Sequence, residues 1–329
     1  MLASACTTVG PRVTLTPTKR PSLSPSPSPS PSVPTVYDSG PVEAPVQGAL
    51  FGAWVRPTAS QTQADRIAAV RSLQKAIGRQ LDIINTYRRF DDPFPTDADR
   101  AFLRAGSTLM VSWVLPASRE IDAGKHDKAL ADWARRFASV DAPMLLRVRW
   151  EMDRKNLAGD VGTPAEFVTA WKRVRNIFAE QHVTNVSFVF CPTAIGFDDG
   201  TAQQFYPGDG EVDWLCADVY AATHLDPIDN LMSEFLKWAA THPKPIVIGE
   251  YGVAESWGGV SRASWLTAAA QAFHANPQIK AVSYFDSNPD GNDHTQSFRL
   301  SPGSPELAAF AAIARDPYFN PNNLAVTSP

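Results

Sequence analysis

The sequence lacks the features that mark several common classes of protein. No apolar run is long enough to cross a membrane as a helix. No run of Lys and Arg supplies the basic face that a nucleic-acid-binding protein needs for its phosphate contacts. The formal net charge is -4. We therefore expect a neutral or weakly charged partner and no nucleic acid.

Metal ligands and cofactor motifs are also scarce. The three cysteines, Cys6, Cys191 and Cys216, form no CxxC pattern, and the six histidines are scattered without metal spacing. No glycine-rich phosphate motif follows the first apolar run. We therefore expect neither a metal nor a cofactor. Cys191 and Cys216 fall in predicted strands, where two small buried apolar side chains are favoured over a disulfide.

The first residues resemble the end of an export signal. Small residues at Ala3 and Ala5 precede Cys6, as at a bacterial lipoprotein cleavage site, although Ala3 stands where leucine is usual. On this reading Cys6 is a lipid anchor. An ordinary exported tail with a chance cysteine is the alternative. Both readings predict an extracellular or cell-surface protein.

A segment rich in Pro, Ser and Thr follows, and it includes alternating Ser and Pro over residues 24–32. Prolines at alternate positions leave too few apolar side chains and N–H donors for a packed element. We predict that residues 1–45 are an export remnant and a disordered tether, that residues 46–320 fold, and that residues 321–329 are a tail.

In the rest of the chain, short apolar runs alternate with stretches of helical period. The runs are 49–55, 81–87, 108–114, 144–151, 186–191, 212–220, 245–250 and 281–286. The helical stretches are 61–80, 97–105, 125–140, 164–181, 228–241 and 262–275, with a last helix after Ser304 and a short one near 202–205. Eight strands alternating with helices predict an α/β fold, the (β/α)8 barrel. A doubly wound open sheet is the alternative.

Two of the apolar runs end in a glutamate. Glu151 ends predicted strand four and Glu250 ends predicted strand seven, and the carboxyl ends of barrel strands share one face. Two carboxyl groups about 5 Å apart suit double displacement at a sugar carbon, in which one attacks and the other donates a proton. Negative charge on Glu250 would raise the pKa of Glu151, which must be protonated to act as the acid.

Arg147 is the expected cation of this site. It precedes Glu151 by four residues, so the strand period of two places both side chains on one face. A charge inside an apolar strand needs a partner, and Glu250 is the expected one. A surface or salt-bridging arginine is the alternative.

Four segments together resemble glycoside hydrolase family 26, the β-mannanase family that also has mixed-linkage glucanase and xylanase members. They are residues 146–152, 206–214, 218–220 and 244–252, and the resemblance runs from about residue 49 to 320. It implies that Glu151 is the acid/base, Glu250 the nucleophile, Tyr220 a donor to the nucleophile and Asp218 a sugar contact. It also implies that Tyr284 is the strand-eight aromatic under the reactive sugar. Core packing is the alternative for Tyr220 and Tyr284.

The chain departs from the family at Trp150, where histidine is usual before the acid/base. Trp150, Trp54 and Trp257 lie on or after strands, where flat rings suit stacking on sugar faces, and core packing is the alternative for each. We predict a monomeric, retaining endo-glycosidase that acts on a β-linked polysaccharide, with β-1,4-mannan as the favoured substrate. A β-1,3/1,4-glucanase or xylanase, or a catalytically weak glycan-binding barrel, is the alternative.

Overall fold

The computed structural model describes residues 37–58, 60–289 and 291–327. Cys6, the alternating Ser and Pro segment and most of the predicted tether lie outside these residues. The lipid anchor and the tether therefore stay predictions.

Eight parallel strands close into a barrel in chain order. They are β1 (Leu50–Val55), β2 (Ile83–Arg88), β3 (Thr108–Trp113), β4 (Met144–Val148), β5 (Val186–Phe190), β6 (Trp214–Ala221), β7 (Ile246–Val253) and β8 (Ile279–Asp286). The last strand pairs with the first, so the sheet has no free edge. The predicted (β/α)8 barrel is confirmed, and the open sheet is wrong.

Helices connect the strands and cover the outside of the barrel. They are α1 (Gln63–Ile77), α2 (Asp97–Arg104), α3 (Ser118–Asp122), α4 (Asp127–Ala138), α5 (Ala158–Val161), α6 (Pro164–Glu180), α7 (Ala194–Asp198), α8 (Ile228–Leu231), α9 (Ser233–Ala239), α10 (Gly259–Ala275) and α11 (Pro305–Ala314). The predicted helix over 228–241 is two helices, and the predicted short helix is the 3₁₀ turn Ala202–Phe205. Among the described residues, no helix combines the length and apolar character that a membrane crossing requires.

Alternate residues of each strand pack on opposite sides of the barrel wall, as the strand period requires. One face fills the barrel interior with Leu50, Ile83, Met110, Leu145, Val189, Trp214, Val247 and Ala281. The other face packs against the helices in a second, larger apolar core. The interior is therefore a packed core, and a ligand site is expected at the carboxyl end of its strands.

A disulfide joins Cys191 and Cys216 inside the barrel. The two residues are neighbours because β5 and β6 pair with Phe190 opposite Leu215. The expectation of two unpaired buried cysteines is therefore wrong.

The folded part begins before residue 46 and continues past residue 320. Val42 is buried against the interior core, and its N–H donates to the hydroxyl of Ser187 at 2.9 Å. That hydroxyl donates in turn to the carbonyl of Ser39 at 2.8 Å. At the other end of the chain, the N–H of Thr327 donates to the carbonyl of Gly78 at 2.7 Å. The boundaries at 45 and 320 are wrong, because both segments help to close the amino end of the barrel.

We expect removal of residues 1–45 to destabilise the fold, whereas removal of residues 1–36 keeps every contact described above. The first deletion exposes the interior core beneath Val42 and leaves the Ser187 hydroxyl without its partners. The loss of buried apolar area and hydrogen bonds corresponds to about 2 to 4 kcal/mol of unfolding free energy. Equilibrium denaturation of the two shortened proteins measures it, with Val42→Ala in the longer one as a milder control. Equal midpoints for the two would show that this segment contributes nothing.

Candidate active site

A cleft of about 950 Å³ opens at the carboxyl ends of the strands. This is the face on which barrel enzymes carry their active sites, because the loops there are free to vary. Side chains from both halves of the barrel line it, among them Trp54, Tyr87, Trp150, Glu151, Asp218, Tyr220, Glu250 and Phe285. Both predicted catalytic glutamates therefore border one cleft.

Glu250 faces the cleft because β7 is irregular at this point. Ile248 and Tyr251 both pack in the outer core, although regular alternation would place them on opposite faces. The pairing of β7 with β8 shifts register between them, so Gly249 and Glu250 form a bulge of the kind often found beside active sites. A side chain at Gly249 would place its Cβ 2.5 Å from the sulfur of Cys216. Only glycine fits there.

Three donors hold the Glu250 carboxylate. Arg147 Nη1 and the Tyr87 hydroxyl donate to Oε1 at 2.8 and 2.6 Å, and the Tyr220 hydroxyl donates to Oε2 at 2.5 Å. Charge-assisted bonds of this kind stabilise an ionised carboxylate and fix its orientation. The arrangement suits a nucleophile that must stay charged and keep one direction of attack.

Arg147 is fully buried and joins two carboxylates. Its guanidinium contacts Glu250 at 2.8 Å and Asp218 at 2.5 Å. Burial alone would lower the pKa of Arg147, but the charges of Asp218 and Glu250 outweigh it and raise the pKa above its ordinary value. Burial raises the pKa of Asp218 well above its ordinary value, and Arg147 opposes that change. The surface alternative for Arg147 is wrong.

Glu151 lies in the turn after β4, which ends at Val148, and so the predicted strand was too long. Arg149 and Glu151 both adopt positive φ, at 41° and 54°, a conformation that non-glycine residues rarely take. The turn is held because the N–H of Glu151 donates to the carbonyl of Cys191 at 2.7 Å. The carboxylate accepts from Arg154 Nη1 at 2.6 Å.

Burial is the largest cause of the raised pKa of Glu151, and the charge of Glu250 adds to it. The cations Arg154 and Arg147 act in the opposite direction. A carboxyl group with a raised pKa beside one that accepts three hydrogen bonds is the pattern of an acid and a nucleophile. The site therefore has the two groups that double displacement needs.

Tyr87 is a site residue that the sequence reasoning missed. It lies on the inner face of β2, and its hydroxyl accepts from Asn85 at 3.1 Å while donating to Glu250. Its ring contacts Trp54 and Trp150, with centroids 5.0 and 5.1 Å away. The signal was present: Asn85 and Tyr87 are polar residues two apart on a strand, so they share one face.

Two predicted substrate contacts lie elsewhere. Tyr284 is fully buried in the outer core, where its hydroxyl donates to the carbonyl of Phe298 at 2.7 Å. The side chain of its neighbour Phe285 lies on the opposite face of β8 and lines the cleft. Trp257 packs against the outer core and donates from Nε1 to the carbonyl of Ala222 at 3.0 Å. Tyr284 and Trp257 are therefore packing residues, and Phe285 is the β8 aromatic residue that faces the cleft.

The described residues contain one cluster with metal-ligand spacing, formed by Cys191, Cys216 and Asp218. The two sulfurs are bonded to each other, so neither is a free thiolate ligand. Asp218 is also already paired with Arg147. The cluster does not fit a metal ion.

The sequence model of glycosyl hydrolase family 26 matches residues 119–283, a span that contains both glutamates. Endoglucanase H of Acetivibrio thermocellus is 26% identical over 80% of this chain and 30% of its own length. A β-1,3-xylanase of Alcaligenes sp is 24% identical over 40% of this chain and 28% of its own length. This chain thus spans about a third or less of the length of these relatives.

Solved structures show the same fold at low identity. A family 26 β-mannanase from Bacteroides ovatus superposes with a TM-score of 0.62 at 16% identity, over 83% of this chain and 90% of that one. A β-mannanase from a symbiotic protist of the termite Reticulitermes speratus, complexed with gluco-manno-oligosaccharide, gives 0.55 at 14% identity, over 85% and 89%.

Proposed function

Because the chain belongs to glycosyl hydrolase family 26, we propose that it is a retaining endo-glycoside hydrolase that cleaves a β-linked polysaccharide by double displacement. The observation that carries this proposal is the unequal pair in one cleft. Glu250 accepts three strong hydrogen bonds, and Glu151 has a raised pKa.

In the first step Glu250 attacks the anomeric carbon while Glu151 protonates the leaving oxygen. In the second step Glu151, now ionised, takes a proton from a water molecule that displaces Glu250. The Glu250 carboxylate gives up its negative charge as it bonds to the sugar and regains it when the intermediate breaks, and its three donors stabilise that charge before the first step and as it returns in the second. Tyr87 and Arg147 are therefore expected to act in both steps.

An endo mode of cleavage agrees with the shape of the site. The cleft, about 950 Å³, is at the upper end of the roughly 300–1,000 Å³ typical of small-ligand sites. Trp54, Trp150 and Phe285 line it around Tyr87, and flat rings suit stacking on sugars. A segment in the middle of a glycan chain fits this arrangement.

β-1,4-Mannan is the first substrate to test because the family resemblance implies it. A β-glucan is the second candidate, favoured by Trp150 in the family's usual histidine position and by the similarity to a protein named endoglucanase. Release of reducing ends from mannan, mixed-linkage glucan, xylan and chitosan, with viscosity followed in parallel, tests the proposal. An endo-glycosidase lowers viscosity before many reducing ends appear. Binding without release from any of the four would support the catalytically weak barrel instead.

We expect Arg154→Gln to move the high-pH limb of kcat/KM to higher pH. Glu151 must be protonated to act as the acid, so activity falls as pH rises through its pKa. Arg154 lowers that pKa, and its removal therefore raises it. pH profiles of the variant, of Arg154→Lys and of Lys155→Gln measure the effect. Arg154→Lys is a control that keeps the positive charge at position 154. Lys155→Gln is a control that removes a neighbouring cation of the cleft. An unchanged limb in Arg154→Gln would exclude this role.

We also propose that the protein works outside the reducing cytoplasm, because disulfides such as Cys191–Cys216 persist in oxidising compartments. Anchoring through Cys6 remains a prediction. Fractionation of cells that express the protein from its complete gene tests both. Protein free in the medium would contradict anchoring, and protein in the cytoplasm would contradict export.

A further inference from the structure

Two arginines form a basic wall on the β1 side of the cleft. Arg56 follows β1 and Arg66 lies on α1, and both line the cleft beside Trp54. Within the described part of the chain, neither guanidinium forms an ion pair with a carboxylate. Among the described residues, the Arg56 side chain donates to the carbonyl of Asn288, at 3.3 Å, and Arg66 Nε is buried without a hydrogen-bond partner.

The charge of Arg66 is poorly compensated where it lies. Burial and the positive charge of Arg88 lower the pKa of Arg66, and the charges of Asp99 and Asp92 oppose that change without cancelling it. Arg88 is itself matched by Asp99, to which it is bonded at 2.6 Å. An anion placed beside Arg66 would therefore meet a partly desolvated cation that forms no ion pair with the described carboxylates, a setting in which charge-assisted hydrogen bonds are strong.

The basic wall is continuous with the reacting centre. The Arg66 guanidinium lies 5.9 Å from the ring centroid of Trp54, and that ring packs edge-on against Tyr87. Tyr87 in turn donates to Glu250 at 2.6 Å. A sugar stacked on Trp54 would therefore lie close to the sugar that reacts, with its substituents near Arg56 and Arg66.

The opposite side of the cleft has the opposite charge. Asp198, Asp199 and Asp226, in the segments after β5 and β6, line it, and within the described part of the chain none of them has an ion pair. In a ring of eight strands, β1 and β5 are diametrically opposed. An anion is therefore attracted to the β1 side and repelled by these three aspartates. Arg154 and Lys155, which follow β4, also line the cleft, but Arg154 is paired with Glu151. The net charge of -4 gives an anionic ligand no general attraction elsewhere.

We propose that the basic wall is a subsite for the carboxylate of a uronic acid, so that the substrate is a β-linked glycan carrying uronate residues near the cleaved bond. The inference rests on the proposed function and names the substrate class for the same site. Arg56 and Arg66 bind the carboxylate, and Trp54 stacks on the sugar that bears it. Neutral neighbouring sugars occupy the rest of the cleft.

The test compares a glucuronate-bearing xylo-oligosaccharide with the same compound after reduction of its carboxyl group to an alcohol. Binding is measured by calorimetry on the Glu250→Gln protein, in which turnover is absent. We expect the acidic compound to bind at least about tenfold more tightly, the size of a charge-assisted hydrogen bond. High salt should remove most of the preference, because it screens the charges.

The variants Arg56→Gln and Arg66→Gln should each reduce the preference, and the double variant should abolish it. Arg71→Gln is the matched control: it removes an arginine from the same helix at an exposed position outside the cleft, and it should leave the preference intact. Thermal unfolding checks that each variant is folded. The salt dependence of the unaltered subsite tests the proposal even if a variant does not fold.

Equal affinity for the acidic and reduced compounds, or a preference that survives in the folded double variant, would overturn the subsite. Hydrolysis assays separate this outcome from failure of the proposed function. Cleavage of neutral glycans without a uronate preference would leave the hydrolase and remove the subsite. A uronate preference in a protein that cleaves no glycan would leave the subsite and remove the hydrolase.

Discussion

Glu250→Ala is expected to abolish turnover of every substrate, whereas Glu151→Ala is expected to spare the first step on substrates that need no proton. Without Glu250 no covalent intermediate can form. Without Glu151 a polysaccharide has a poor leaving group, and its hydrolysis should slow by roughly 10²- to 10⁴-fold. In an aryl glycoside with an acidic phenol, the phenolate leaves without a proton donor. The glycosyl-enzyme should therefore form and then accumulate. A burst of phenol followed by slow turnover measures this.

Controls separate these effects from misfolding. Glu250→Gln keeps the size and shape of the side chain among its three hydrogen-bond partners. It should also be inactive. Glu151→Gln keeps the side-chain volume beside Arg154 and should retain the burst. Full activity of either alanine variant would show that the other glutamate works with a different partner.

Arg147→Met is expected to cost about 3 to 5 kcal/mol of unfolding free energy, because removal of one partner leaves buried charge uncompensated. Asp218 and Glu250 would then lie in the barrel without their shared cation. Turnover should be lost as well, since Glu250 loses a donor. Urea denaturation and kcat/KM measure the two losses.

The pH dependence of this variant has a definite sign. Burial raises the pKa of Asp218 in the folded protein, and Arg147 opposes that change, so removal of Arg147 raises the pKa further. A carboxyl group whose pKa is higher in the folded state than in the unfolded state destabilises the fold as pH rises. The stability lost in Arg147→Met should therefore be larger at neutral pH than at acidic pH.

A second change isolates the cause. Adding Asp218→Asn to Arg147→Met removes one of the two uncompensated carboxylates and should restore part of the stability without restoring activity. A double variant no more stable than Arg147→Met would show that lost packing, and not uncompensated charge, destabilises the single variant.

The strand period predicts the inner face of a strand wherever the strand is regular. On β6 it correctly places Asp218 and Tyr220 on one face, and both line the cleft. On β8 the same rule places Tyr284 and Phe285 on opposite faces. The wrong prediction for Tyr284 therefore came from the family resemblance and not from the strand period. The bulge in β7 could not be read from the sequence, because Gly249 is only a hint that the alternation breaks there.

Long-range contacts explain the other errors. The disulfide depends on the register of β5 against β6, which brings Cys191 beside Cys216. Local patterns do not fix a register between strands joined by a long connection. Val42 reads as part of a polar, proline-rich segment, and its burial becomes visible only when the interior core at the amino end of the barrel is assembled.

The central claim is that Glu250 attacks the sugar and Glu151 moves the proton. The measurement that tests it most directly is the anomeric configuration of the glycosyl azide formed when azide is added to each alanine variant with an aryl β-glycoside. In Glu250→Ala, azide replaces the missing nucleophile in a single displacement and should give the α-azide. In Glu151→Ala, azide attacks the intermediate on Glu250 and should give the β-azide. Proton NMR distinguishes the two products. The same anomer from both variants, or the two anomers exchanged, would contradict the assignment.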